Sequence, residues 1–369
     1  MTWPIVRLGE ICELEYGRSL PSGVRVAGEH KVFGSNGVVG AHNAAISNGE
    51  TVVVGRKGSV GEINHSCSSC WPIDTTYFVD RNSTKQNLRW LFYAIKHLNL
   101  RSLTKSTGVP GLNRSDAYAL NIPLPPLEEQ KRIAAILDQA DALRRLRART
   151  LDRLGALGQA IFHEMFVERG EIWPKHSIEA LVENARTGPF GSQLLSSELV
   201  DDGIPVLGID NVVSNEFAWG KSRFISPEKY ATLRRYTVLP GDILITIMGT
   251  IGRCIVVPSG IPTAINTKHI CCLTPKYNLI GSEFLRAAFL YHPEILKQLG
   301  VQTKGAIMPG LNMGIIKGLV IPLPPLAVQE EFAERLSTAT SVLHEARRQD
   351  GMTQTLFTSL QYRAFRGEL

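Results

Sequence analysis

No uninterrupted apolar run in this chain approaches the roughly 18–20 residues that a membrane helix needs. Its start, Met1-Thr2-Trp3-Pro4, has no basic stretch followed by an apolar one, so no signal peptide is expected and a cytoplasmic protein is. Cysteine is scarce, with six in 369 residues. Cys67-Ser68-Ser69-Cys70 is the single CxxC, whereas a zinc site of that kind needs a second such pair or a histidine pair. Cys12, Cys254 and the adjacent Cys271 and Cys272 do not supply one, so reduced structural thiols are expected.

Catalytic constellations are missing too. Both Pro-Pro pairs are followed by leucine, so the Asn/Asp-Pro-Pro-aromatic tetrad of base amino-methylation is absent. Glu29-His30-Lys31 fits half of a nuclease site, but the first aspartate is Asp74, and the upstream acid is lacking. Gly55-Arg56-Lys57-Gly58-Ser59-Val60-Gly61 is glycine-rich without the GxxxxGK[ST] spacing that phosphate-loop chemistry requires. None of the nine histidines sits at HExxH spacing. The chain is therefore expected to hold no catalytic residue, metal or cofactor of its own.

What is present is a repeat. Gly111-Leu112-Asn113 recurs as Gly310-Leu311-Asn312, and Ile122-Pro123-Leu124-Pro125-Pro126-Leu127 as Ile321-Pro322-Leu323-Pro324-Pro325-Leu326. Gln130 recurs as Gln329, Trp3-Pro4 as Trp173-Pro174, and Gly58 to Gly61 as Gly249 to Gly252. Two copies of one unit make up the chain. Within each copy, Val/Ile-rich segments such as Thr51–Val54 and Ile243–Ile247 predict strands, and 87–98 and 282–290 predict short helices. The proline motif ends that pattern, and a long amphipathic helix follows. The first is expected over about 128–166, a rod of roughly 60 Å.

A helix that long with a narrow apolar stripe needs a partner. The spacing places Ile133, Ala140, Leu143 and Leu157 on the first seam and Phe332, Leu336, Val342 and Leu356 on the second. The expected fold is α+β: two similar α/β modules, which become target-recognition domains under the resemblance given below, separated by two long antiparallel coiled-coil helices related by a pseudo-two-fold. The boundaries are 1–125 and 170–324 for the domains, 126–169 and 325–369 for the helices.

Forty Lys+Arg against 34 Asp+Glu give a net charge of +6, which favours an anionic partner without naming it. Arg56, Lys57 and Ser59 put two cations and a hydroxyl on a glycine-bounded loop suited to guanine or phosphate; a solvated basic hairpin is the alternative. Lys105, Ser106 and Thr107, echoed by Thr303 and Lys304, suit phosphate positioning or a simple strand-ending turn. Asn113 and Asn312 fit caps of the short helices that follow. Asn36, Ser192, Thr250, Arg253 and Lys268 complete the candidate contacts. The run Arg144, Arg145, Arg147, Arg149 and Arg153 reads as exposed coiled-coil positions.

By its repeated motifs and glycine-rich loops, the chain resembles the DNA-specificity subunit of type I restriction–modification systems. The resemblance is carried by Lys31 to Gly40, Gly55 to Gly61, Trp71 to Thr75, the two Pro-Leu-Pro-Pro-Leu-x-x-Gln motifs and the ending Arg363 to Leu369. It implies a non-catalytic reader of a split double-stranded DNA site, with the helix pair as a ruler between half-sites. The implied partners are modification subunits that bind S-adenosylmethionine and methylate a flipped adenine, and motor–nuclease subunits using ATP and magnesium. The two copies differ strongly outside the shared motifs, so an asymmetric target is expected. The rivals are a self-contained enzyme, for which the two copies leave no room, and a coiled-coil scaffold or orphan DNA-binding protein.

Overall fold

The computed structural model describes residues 3–103, 111–169, 173–300 and 310–369. The chain divides into two compact units, Met1–Thr150 with Ala346–Leu369, and Leu151–Glu345. Each contains one α/β module and parts of both long helices.

The same sheet occurs in both. In the first unit Glu15–Tyr16, Thr76–Val79, Thr51–Gly55 and Ile63–Ser66 lie in that order, all antiparallel. In the second the order is Val182–Thr187, Ile270–Pro275, Ile243–Thr246 and Cys254–Val256. Unbroken apolar runs make the central strands because both faces are covered. Val52 and Val54 join the core beneath the helix Leu88–His97, while Val53 faces Phe33, Cys70 and Phe78. Ile243 and Ile245 likewise face the helix Ser282–Tyr291, and Leu244 faces the opposite core. Strand alternation also separates Cys271 from Cys272. All six cysteines are free, and burial pushes the thiols of Cys12, Cys254 and Cys271 up to about 12.

A second sheet differs between the units. The first has the hairpin His30–Gly34 and Gly37–His42, with Val32 paired in parallel to Trp71. The second keeps the parallel pair, Val206 with Ile265, but replaces the tight turn by residues 208–223 and adds the strand Thr237–Val238.

The proline motif has a structural cause. Ile122 and Ile321 pair with Val6 and His176 in short two-stranded ladders. The prolines then end the ladder, and the glutamine folds back. Gln130 donates to the Pro125 carbonyl (2.9 Å) and accepts from the Asn87 amide (2.9 Å), at the start of the short helix. Gln329 does the same with Pro324 (2.9 Å) and Gly281 (2.9 Å). Both glutamines are buried.

The long helices are Leu127–His163, continued by a π-helical turn Glu164–Glu168, and Leu326–Ala364. Their contacts run antiparallel within each unit. In the first unit Ile133, Ala134 and Leu137 share a core with Phe357, Ala364 and Phe365, and Arg144 stacks on Phe357. In the second, Phe162 and Phe166 meet Phe332, and Glu164 pairs with Arg335 (2.9 Å).

The seam differs from the expected one by a single position at four places. Ile133 and Phe332 are buried, and Ala140 and Leu336 pack partly into the cores. Leu143, Leu157, Val342 and Leu356 are 44%, 37%, 50% and 55% exposed. An inward heptad register, in steps of three and four, passes instead through Arg144, Gly158, Leu343 and Phe357. Two of those residues are not apolar, so a search for apolar spacing slides onto the neighbouring leucine. At Gly158 the helices come close: a methyl group there would lie 2.9 Å from Leu336 Cδ1, and that leucine would have to turn aside. The inward-facing Asp141 accepts from Arg144 (2.6 Å) and Arg145. Part of the basic run is therefore tied to a buried acid.

Candidate nucleic-acid interface

In the first unit the loop after Thr51–Gly55 is closed by its own backbone. The Gly55 amide donates to Glu62 O (2.7 Å), the Gly61 amide to Gly55 O (2.8 Å), and the Arg56 amide to Thr75 O (2.9 Å). The second unit repeats the set. The Thr246 amide donates to Arg253 O (2.9 Å), that of Gly252 to Thr246 O (2.9 Å), and that of Ile247 to His269 O (2.9 Å). The turns need positive φ, and the glycines match: Gly58 (75°) and Gly61 (72°) against Gly249 (68°) and Gly252 (80°). Gly55 corresponds to Thr246, whose Oγ1 donates to Thr250 O (2.5 Å).

On this common backbone the charges are exchanged. The half-buried Arg56 and exposed Lys57 correspond to the buried Ile247 and exposed Met248. Glu62 and Asp74 correspond to the exposed Arg253 and Lys268. One unit presents cations early in the loop, and the other at its end and on the neighbouring turn. His269 beside Lys268 is held below the ordinary imidazole value, by burial first and by that lysine second.

The fold gathers several candidates in each unit. Asn36 is exposed at the tip of the first hairpin, next to Ser35, whose carbonyl oxygen would lie 3.0 Å from a methyl group on Gly55. Asn36, Arg56, Lys57 and the half-buried Ser59 therefore share one end of the first unit. Thr250, Arg253 and Lys268 share the matching end of the second. Ser192 is exposed, four residues beyond Gly188, which packs against the Asn266 carbonyl oxygen. Lys105, Ser106, Thr107, Thr303 and Lys304 lie outside the described residues. Gly111, just after the first of those segments, bridges to Lys57, and the Leu112 amide donates to Arg56 O (2.9 Å). Asn113 and Asn312 cap the next helices, accepting from Ser115 N and Ile315 N (2.9 Å each).

The sequence reading missed an aromatic–guanidinium cluster in the first unit. The Arg56 guanidinium lies 5.0 Å from the Tyr16 ring centre and 5.7 Å from that of Tyr77. Arg114 lies 5.2 Å from Tyr16 and 5.7 Å from Tyr118. Burial pushes the Tyr77 phenol up to about 12, aided by Tyr16 and opposed by both arginines. The available signal was Arg114 directly after the repeated Leu-Asn pair, where the second copy has Met313.

Among the described residues no group of three or more His, Cys, Asp or Glu could hold a metal ion, and no helix is long and apolar enough to cross a membrane. The arrangement offers hydrogen-bond donors and cations at one end of each module, which is chemistry for binding an anionic surface.

Comparison with known proteins agrees on the kind of module. A family model described as a type I restriction modification DNA specificity domain matches residues 1–155 and 192–350. The chain is 28% identical over 284 residues to the type I restriction enzyme MjaVIII specificity subunit of Methanocaldococcus jannaschii, covering 70% of this chain and 65% of that protein's length. It is 25% identical over 323 residues to the EcoBI specificity subunit of Escherichia coli, covering 79% and 68%. The crystal structure of a type I restriction-modification S subunit from M. genitalium shares the fold, with a TM-score of 0.64 at 17% identity over 99% of this chain and 96% of that one.

Proposed function

The chain belongs to the type I restriction modification DNA specificity family, and on that premise we propose that it is a non-catalytic subunit reading a bipartite, asymmetric site in double-stranded DNA. Residues 1–125 read one half-site and 170–324 the other. Residues 126–169 and 325–369 set the distance between them. The observation that carries this reading is the exchange of charge on a loop whose backbone both units share. One backbone is used twice, while Arg56, Lys57, Glu62 and Asp74 give way to Ile247, Met248, Arg253 and Lys268. Identical readers would suit a palindrome; different ones suit two unlike half-sites.

Asn36, Arg56, Lys57, Ser59, Lys105, Ser106 and Thr107 serve the first half-site. Ser192, Thr250, Arg253, Lys268, Thr303 and Lys304 serve the second. Their cations position the duplex through its phosphates, and sequence enters through base edges and duplex shape. Methylation and cleavage belong to partners: modification subunits holding S-adenosylmethionine, and restriction subunits using ATP and magnesium. The exposed Leu143, Leu146, Leu157, Val342, Met352 and Leu356 offer those partners apolar contacts on the long helices.

The test is single-molecule methylome sequencing of the host with and without this gene. A split, asymmetric N6-methyladenine motif that vanishes on deletion is the expected outcome. If the methylome is unchanged and the purified chain shows no salt-dependent affinity for duplex DNA, the reading is wrong and a scaffold function replaces it.

A further inference from the structure

Arg56 and Arg114 are 58 positions apart in sequence, yet both stack on Tyr16, itself 50% exposed. Each is near a carbonyl oxygen: Arg56 Nη1 donates to Asp74 O (3.2 Å), and Arg114 Nη1 to Leu14 O (3.4 Å). Among the described residues neither forms an ion pair. Two guanidiniums therefore lie no more than about 10 Å apart, within roughly one Debye length at 0.1 M salt, and neither is neutralised by an ion pair among the described residues. Such a pair adds local positive potential that an anion can use.

The fold does not require this cluster. Strand register aligns Tyr16 with Thr187 and Tyr77 with Cys271, since Tyr16 pairs with Tyr77 and Thr187 with Cys271. The loop aligns Arg56 with Ile247, and the capped helix aligns Arg114 with Met313. The second unit builds the same backbone with none of the aromatic or guanidinium groups. The cluster is thus an addition to one unit, placed beside Lys57, Ser59 and Asn36.

Resting on the DNA-reading function proposed above, we propose that Arg56 and Arg114, stacked on Tyr16, form a two-guanidinium clamp for a backbone phosphate of the DNA bound by the first unit. Phosphate is favoured over a base edge by geometry. Both side chains are half-buried, with their guanidiniums held over aromatic rings, whereas a base reader must project freely into a groove. The rings hold each planar fork in place, so little side-chain freedom is lost when it donates to a phosphate. Tyr16 acts as a positioning residue.

The test is a salt series with the full chain and a fluorescent 30-bp duplex pool of random sequence, because a phosphate contact does not depend on base identity. Arg114→Met installs the residue that the second unit carries at this place, so the backbone is expected to tolerate it. The slope of log affinity against log salt should become shallower by about 0.9 for Arg114→Met and by about 1.8 when Arg56→Ile is added. Arg114→Lys should retain the slope. Tyr16→Leu should also retain the slope while weakening binding by about threefold, as expected for loss of cation–π contact. An unchanged slope in Arg114→Met, with steep dependence in the wild type, overturns the clamp and leaves the DNA-reading function standing. A loss of affinity for a duplex carrying the host's methylated motif, with the slope on the random pool intact, also overturns it, in favour of base readout. A wild-type chain without salt-dependent binding overturns both.

Discussion

Two buried polar residues show how single side chains hold this molecule together. Gln130 closes three hydrogen bonds away from water, to Pro125 O, Gln86 Oε1 and Asn87 N. Gln130→Leu is expected to destabilise the first unit by about 2–3 kcal/mol, because a helix-start amide and a carbonyl are left buried without partners. Urea denaturation followed by circular dichroism would measure it, and a change under about 0.5 kcal/mol would refute the clamp role. Asp141 tests electrostatics. Burial pushes its carboxyl upward, but Arg144 and Arg145 outweigh that and hold it below its ordinary value. A depressed carboxylate contributes stability above its unfolded-state value, near pH 4, and loses it as pH falls through the lower folded value. Asp141→Asn should therefore be less stable than wild type at pH 7, and the gap should narrow towards pH 3. A gap that is constant across that range would contradict the ion-pair account.

At the level of whole elements, the long helices combine a legible pattern with an illegible register. Their existence and length follow from the proline stop and the apolar stripe. Which leucine turns inward does not, because the heptad runs through Arg144, Arg147 and Gly158 at mid-helix. Side chains there are judged by what they meet across the seam: Arg144 by the Phe357 ring, and Arg147 by Gln349 at 3.3 Å. Phe357→Ala should destabilise the chain by about 3–5 kcal/mol, as for other buried phenylalanines. Leu143→Asp, on the exposed side, should leave the chain's own melting within about 0.5 kcal/mol of wild type yet reduce its recovery with the modification subunits. If instead Leu143→Asp melts early, the inward register through Arg144 and Phe357 is wrong. Full recovery with normal melting would remove Leu143 from the docking face.

For the molecule as a whole, the two units have separate cores and exchanged charges, and under the proposed function each would vary as a reader independently of the other. Arg56→Ala should lower the extent of methylation at the sites while leaving the base sequence of both halves of the motif unchanged in a methylome comparison, as expected for a phosphate contact. Unaltered methylation at every site would exclude Arg56 from the interface.

The repeat, the central strands, the capped helices and the long rods were all readable from local chemistry. The repeat shows as two matching segments far apart in the chain, and each of the others depends on residues within a few turns or one strand of one another: Asn87 on Trp90, Val52 on Val54, Gln130 on Pro125. The loop candidates Arg56 and Lys57 were readable for the same reason, since glycine spacing dictates that turn. The Tyr16–Arg56–Arg114 stack was not, because it joins three segments through antiparallel register and a helix cap, and no local pattern carries that register. The match of Glu62 with Arg253 was legible, since each directly follows the repeated Gly-x-x-Gly, whereas that of Asp74 with Lys268 was hidden. It emerges only when two backbones of low side-chain similarity close the same hydrogen bonds, which folding decides through long-range pairing.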